Sequence, residues 1–174
     1  TIEGQAGVRA RIVVKDIAAN DAKAKELGIS SPTPSSEAIK TALAVAGFSD
    51  AYVTTLDCRA AFMHTPLDES KRKIIVKLPL SVSWGDDSGS PVYLLLKKSL
   101  NGIRSASLDW LQFAQSIVKG PMNLVSSPTD PCVFTAPGII MVIYVDDIII
   151  ISKDRETGSK VQALFNKHVP TKLT

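Results

Sequence analysis

The pattern of apolar and polar positions divides the chain into short strands and a few amphipathic helices. Val8-Arg-Ala-Arg-Ile-Val-Val14 is rich in β-branched residues, and a period of two places Arg9 and Arg11 on one face of a predicted strand. From Lys15 to Pro34 a mixture of Ala, Lys, Asp, Gly, Ser and Pro predicts a loop with one short helix near Ala22–Leu27. Ser35 or Ser36 can cap a helix over Glu37–Ala46, in which Ala38, Ile39, Ala42, Leu43 and Ala46 recur at helical spacing before Gly47 ends it. Tyr52–Leu56 predicts a strand that runs into Asp57 at its carboxyl end. Lys73–Leu80 and Val92–Lys98 predict two more strands around the Ser/Gly/Asp loop 81–90. After the turn Asn101-Gly102, Ser107 is the predicted cap of a helix through Lys119 with the stripe Leu108, Leu111, Ala114 and Val118. Cys132–Thr135, Ile139–Val145 and Ile148–Ser152 predict an antiparallel meander, with Asp146-Asp147 between its last two strands. A final short helix follows Ser159, with Val161, Leu164, Phe165 and His168 on one face. Strands and helices are interleaved without regular alternation or a glycine-rich phosphate loop, which predicts an α+β fold with helices on one face of its sheet.

Composition narrows the classes. The 174 residues are 45% hydrophobic and 21% charged, enough apolar material for the core of one domain or lobe. A net charge of +3 permits an anionic partner without demanding one. Cys58 and Cys132 stand far apart and the histidines are only His64 and His168, so neither a disulfide framework nor a zinc site is expected. Any metal must be held by carboxylates. Ile139–Ile151 is interrupted by two aspartates and falls short of the roughly 20 residues of a spanning helix, so no membrane segment is expected. A start at Thr1 with no signal-peptide pattern leads us to expect a piece of a longer intracellular polypeptide, cytoplasmic (particle-associated) or nuclear and not secreted.

Asp146-Asp147 is the informative dipeptide, because apolar residues precede it and four isoleucines follow. Burying two adjacent carboxylates costs several kcal/mol each unless a cation or hydrogen bonds compensate. Two readings stay open: a divalent metal site, or the exposed tip of a hairpin. Asp86-Asp87, the same dipeptide among Gly and Ser, reads as solvated loop. Asp57 is a third strand-end acid, and three carboxylates at one sheet edge would suit hard cations and two-metal phosphoryl transfer.

Tyr144-Val145-Asp146-Asp147 with its flanks resembles the catalytic hairpin of reverse transcriptases, and other stretches resemble the copia-type branch of long-terminal-repeat retrotransposons. These are Arg9-Ala-Arg-Ile-Val13, Ser31-Pro32, Leu56-Asp-Cys-Arg-Ala-Ala-Phe62, Leu96-Lys-Lys-Ser-Leu-Asn-Gly-Ile103 followed by Trp110, and Ser127-Pro-Thr-Asp-Pro-Cys-Val-Phe134, in that order between about Val8 and Lys167. The resemblance implies a fingers and palm fold with an antiparallel palm sheet on a ferredoxin-like or RRM-like core. Residues 1–50 would be fingers-like and 51–174 palm, interrupted by a fingers-like segment at about 73–104, with thumb and ribonuclease H absent. It implies Asp57, Asp146 and Asp147 as catalytic and metal-binding residues for Mg²⁺, with Mn²⁺ as a substitute. It further implies nucleotide contacts from Arg9, Arg11, Phe62, Asn101, Gly102 and Tyr144, and nucleic-acid backbone contacts from Lys97, Lys98 and Arg104. Expected partners are an RNA template, a DNA primer, deoxynucleoside triphosphates and the integrase and ribonuclease H of a polyprotein. Asn101 replaces the family's usual Tyr, and Arg104-Ser-Ala-Ser107 replaces its Lys-Gln-Ala-Pro. Those changes keep a catalytically inactive nucleic-acid-binding remnant as an alternative, and a carboxylate-metal phosphohydrolase as a third.

Overall fold

The computed structural model describes residues 12–16, 30–70, 72–79 and 90–174. Arg9, Arg11, the short helix expected near Ala22–Leu27 and most of the loop 81–90 lie outside the described residues. In chain order the elements are α1 (Ser36–Phe48), β1 (Tyr52–Cys58), α2 (Ala61–His64), β2 (Ile75–Lys77), β3 (Tyr93–Leu95), α3 (Ala106–Lys119), β4 (Val125–Ser126), β5 (Val133–Ala136), β6 (Ile139–Tyr144), β7 (Asp147–Ser152), α4 (Arg155–Asn166) and β8 (Thr171–Leu173). Six strands form one antiparallel sheet in the order β4-β5-β6-β7-β1-β8, and β2 pairs with β3 in a separate ribbon. The fold is thus α+β, with a multi-stranded antiparallel sheet and packing helices.

The run of four isoleucines explains the layering. Successive side chains of a strand point to opposite faces, so an unbroken apolar run means burial on both. Ile148 and Ile150 enter one core with Trp110, Leu111 and Val118 of α3 and Phe165 of α4. Ile151 lies in the second core with Ala42 and Ala46 of α1, and Ile149 packs against it. Helices therefore cover both faces, not the single face expected from the interleaving of elements. Small alanines at the α1 contact let that helix approach the sheet, leaving Phe48 at its end 95% exposed.

Several boundaries move for local reasons. Ser35 caps α1 as expected, its hydroxyl accepting from the Ala38 N–H at 3.1 Å, but the helix passes through Gly47 and ends at Phe48. The last helix begins before Ser159, because Asp154 caps it by accepting from the Thr157 N–H at 2.7 Å. Ser105, not Ser107, occupies the N-cap position of α3. The strands expected at Lys73–Leu80 and Val92–Lys98 contract to three residues each, and residues 12–14 form no strand. β4 and β8, of two and three residues, carry no pattern long enough to announce them.

Asp130 ties the second layer to the sheet. This buried carboxylate accepts from the Ser35 N–H at the start of α1 and from the Cys132 N–H before β5, both at 2.9 Å. Each charge-assisted bond to a backbone donor contributes about 1.5–3 kcal/mol. Asp130→Ala should therefore lower unfolding stability by about 2–4 kcal/mol, measured by urea denaturation, with Asp130→Asn losing less because one acceptor oxygen remains.

Candidate active site at the end of the central hairpin

β6 and β7 pair from Ile139↔Ser152 to Tyr144↔Asp147, so the connecting turn is Val145-Asp146 and Asp147 already belongs to β7. The turn lies one residue earlier than the expected Asp146-Asp147. Two-residue hairpins need positive φ at their first central position, which normally selects Gly, Asn or Asp. Here Val145 takes it, with φ +53°. A β-branched residue in that region is a steric outlier, and such strain costs on the order of 1–3 kcal/mol.

Two hydrogen bonds hold the turn. The indole Nε1–H of Trp110, fully buried on α3, donates to the Val145 carbonyl. The Cys58 N–H donates to the Asp146 carbonyl at 2.7 Å, extending the β1–β7 ladder beyond the Asp57↔Asp147 pair. Asp57 is the penultimate residue of β1, not a residue just past its end, and its Cα faces Asp147 across the strands. Chain folding thus brings three aspartates to one end of two neighbouring strands.

A cavity of about 640 Å³ opens there, lined by Ile12, Asp57–Met63, Leu100, Asn101, Val145 and Asp146. Of the residues singled out from sequence, Asp57, Phe62, Asn101 and Asp146 share this cavity. Ala60, which enters α2, is a second non-glycine with positive φ on the same wall, at +52°. Gly102 is next to Asn101 with φ +89°, and a Cβ there would stand 2.0 Å from the Val14 carbonyl oxygen, so no other residue fits. Val14 in turn donates its N–H to the Asn101 carbonyl at 2.7 Å, holding segment 12–16 along the cavity rim.

Other expected residues lie elsewhere. Asp147 and Tyr144 are exposed at the hairpin end without lining the cavity. Lys97 is ion-paired with Glu69, and Lys98 bridges Pro66. Arg104 pairs with Asp16, its Nε at 3.2 Å from Oδ1, and lines a different cavity. Trp110, Arg59 and Ala60 stand within the stretches that carry the family resemblance, but the sequence assigned none of them its place here, Trp110 as turn anchor and Arg59 and Ala60 on the cavity wall.

The electrostatics confirm that the carboxylates are mutual neighbours. Asp147 is raised above the usual carboxylate range, first by partial burial and then by the charges of Asp146 and Asp57. The Cys58 thiol is pushed up to about 12 by burial and by Asp57, Asp146 and Asp147, so it stays protonated and unreactive. Asp146 and Asp147 are nevertheless exposed, so the expected burial cost at this dipeptide does not arise. Among the described residues, no three His, Cys, Asp or Glu side chains are grouped so as to hold a metal ion by themselves. The donors at the cavity are hard carboxylate oxygens, and Mg²⁺ commonly takes only one or two carboxylates with substrate phosphates and water. In kind, Asp57 and Asp146 fit that demand.

Residues 3–172 match the family of reverse transcriptases (RNA-dependent DNA polymerases), and the chain belongs to that family. It is similar to the truncated transposon Ty1-A Gag-Pol polyprotein of Saccharomyces cerevisiae, 26% identical over 148 residues that make up 85% of this chain and 12% of the relative. It is also 26% identical over 146 residues to the transposon Ty1-NL2 Gag-Pol polyprotein of the same yeast, covering 84% of this chain and 8% of the relative. This is a reverse-transcriptase-like domain related to Ty1/copia retrotransposon Gag-Pol polyproteins, and it spans about a tenth of their length. No helix among the described residues is long and apolar enough to cross a membrane.

Two outcomes follow from this geometry. Trp110→Phe keeps the ring but removes the donor, so stability should fall by about 1–3 kcal/mol and amide exchange should accelerate at Asp146 and Asp147 before the β6–β7 interior. For Asp147, a folded-state value above the unfolded one means that the native state holds the proton more tightly. Its favourable contribution is complete below the ordinary carboxylate range and is lost as pH rises through the raised value. Asp147→Asn should accordingly raise the thermal midpoint at pH 7 relative to the unsubstituted chain, with the gap closing toward pH 3.

Proposed function

We propose that the chain is the fingers and palm part of a copia-like reverse transcriptase and performs template-directed transfer of a deoxynucleotide to a primer 3′ end. The observation that carries this reading is the meeting of Asp57, Phe62, Asn101 and Asp146 around one cavity in a chain of the reverse transcriptase family. The topology supports the palm assignment. β1-α3-β6-β7-α4-β8 is a strand-helix-strand-strand-helix-strand series with sheet order β6-β7-β1-β8, the arrangement of a ferredoxin-like core. The two-stranded β2–β3 ribbon would belong to the fingers-like segment at about 73–104, and residues 1–50 to the fingers.

Asp57 and Asp146 would present carboxylate oxygens to Mg²⁺, or Mn²⁺ in its place, with Asp147 adding negative charge behind them. Bound there, two such ions would lower the pKa of the primer hydroxyl and neutralise charge on the attacked phosphate. Phe62 would pack against the sugar and leave no space for a 2′-hydroxyl, while Asn101 and Gly102 would lie beneath the templating pair. Tyr144 would contact the nucleotide from the hairpin end, and Arg9 and Arg11 would reach its triphosphate through planar guanidinium groups suited to phosphate oxygens. Lys97, Lys98 and Arg104 would face nucleic-acid backbone. The partners would be an RNA template, a DNA primer, deoxynucleoside triphosphates and the integrase and ribonuclease H of a polyprotein, all inside the cell.

A nucleic-acid-binding remnant without chemistry is the second reading, favoured by Asn101 and by Arg104-Ser-Ala-Ser107, which depart from the family pattern. Mg²⁺-dependent primer extension on an RNA template separates the two. The unsubstituted chain should incorporate deoxynucleotides, and Asp57→Asn or Asp146→Asn should each cut incorporation about 100-fold or more, because several kcal/mol of transition-state charge stabilisation is removed. Phe62→Ala should extend with ribonucleotides as well. Binding of primer–template without extension by any variant would establish the remnant.

A further inference from the structure

Arg59 is the one cation among the described residues that line the cavity of Asp57 and Asp146. It is exposed and forms no ion pair among the described residues, although two carboxylates line the same cavity. Other cations singled out above are engaged: Arg104 lines the neighbouring cavity and pairs with Asp16, and Lys97 pairs with Glu69.

The backbone fixes where Arg59 stands. Its N–H donates to the Pro170 carbonyl at 3.0 Å, continuing the β1–β8 ladder one pair beyond Cys58↔Thr171. The residue after Pro170 is held in turn, since Thr171 donates its N–H to Asn166 Oδ1 at 2.7 Å. Arg59 therefore still follows the strand, and two residues from Asp57 it shares that residue's face at a Cα spacing of about 6–7 Å. Immediately afterwards Ala60, with φ +52°, turns the chain into α2 and brings Phe62 to the same cavity.

We propose that Arg59 binds the two outer phosphates of the incoming deoxynucleoside triphosphate, the pair that leaves as pyrophosphate. The inference rests on the polymerase reading of this cavity and adds to it a substrate contact carried by the sheet itself. Carboxylates and a guanidinium on one cavity wall call for a ligand with two differently served anionic groups. Metal ions at Asp57 and Asp146 would meet the phosphate that reacts. They leave the charge of the outer phosphates unmet, and a planar guanidinium suits those oxygens. Two strand positions apart, the acid and the cation are placed for successive phosphates of one chain rather than for a single shared oxygen.

The test is isothermal titration of dATP, dAMP and pyrophosphate, in Mg²⁺, into the chain holding a primer–template whose primer ends in a dideoxynucleotide, so that no transfer occurs. Primer–template affinity is measured alongside. Arg59→Gln keeps the backbone bond to Pro170 and changes an exposed position, and a circular-dichroism melt verifies the fold. It should weaken dATP and pyrophosphate about 10- to 100-fold, as loss of a charge-assisted hydrogen bond does, and leave dAMP and primer–template unchanged. Arg59→Lys should recover part of the loss, because the charge returns without the planar fork. Lys40→Gln, which removes an exposed charge on α1, should change none of the four affinities. In steady-state extension Arg59→Gln should raise KM for dATP with kcat nearly unchanged. Unchanged dATP affinity in Arg59→Gln overturns the proposal, as does an equal loss on dAMP, a loss confined to primer–template, an equal loss in Lys40→Gln, or absence of dATP binding by the unsubstituted chain. The two readings fail separately. Arg59-dependent dATP binding without primer extension upholds this contact and sinks the transfer reaction, whereas extension with dATP affinity untouched by Arg59→Gln does the reverse.

Discussion

The antiparallel pairing of β1 with β7 is the constraint on which the rest of the structure depends. It joins Tyr52 to Ser152 and continues through six residue pairs to Asp57↔Asp147, closing a loop of nearly a hundred residues. Closing so long a loop is entropically unfavourable, and only extensive burial offsets it. β7 provides that burial because both of its faces are covered: Ile148 and Ile150 by α3 and α4, Ile149 and Ile151 on the side of α1. The same pairing that builds the core also delivers the acids. Since residues at β1 and β7 are in register, Asp57 reaches the hairpin end only if the isoleucines are correctly buried, and a slip of one residue would exchange the two cores. Fold and site are thereby specified by one register.

The hairpin end stores what the core stabilises. A valine with positive φ, an alanine with positive φ lining the same cavity, and the crowding of Asp147 by Asp146 and Asp57 all raise the energy of the folded chain. These features meet at one end of the sheet, where Val145, Ala60, Asp57 and Asp146 line one cavity and Asp147 stands beside it. Two tethers keep the turn in place, the Trp110 indole and the Cys58 amide, and both come from elements that are themselves rigidly packed. Positions of the turn carbonyls are therefore fixed by the core, while Asp146 and Asp147 remain exposed to solvent and Asp57 is half-buried.

How far the sequence disclosed this depended on the range of the interaction involved. Long uniform runs were legible: Ile139–Val145 and Ile148–Ser152 correspond to β6 and β7 within a residue, and of the predicted α3 stripe Leu111, Ala114 and Val118 are buried while Leu108 is half-buried. Caps competed with one another, so Asp154 took the start of α4 from Ser159, and β4 and β8 were too short to carry a period. The cover on the second face was missed, although the unbroken isoleucine run implied it, because α1 contributes only small alanines to the contact. At the site, motif order located Asp57, Phe62, Asn101 and Asp146, which do share a cavity. Position along the chain could not tell that Arg104 turns to Asp16 while Lys97 turns to Glu69, since side-chain partners are set by segments distant in sequence. Motif order singled out Trp110 as well, but not its place as anchor of the turn, because that contact is made by one indole nitrogen to a carbonyl 35 residues away.

Gly102 shows how closely the two cavities are linked. Its missing side chain allows the Val14 carbonyl to approach within a distance that no Cβ would permit, and the Val14 amide bonds back to Asn101. That contact sets segment 12–16 between the two cavities, with Ile12 lining the one that holds Asp57 and Asp146 and Val14–Asp16 lining the other. The glycine is thus a requirement of the placement of segment 12–16 as much as of the turn, since any bulkier residue would push that segment away from the cavity rim.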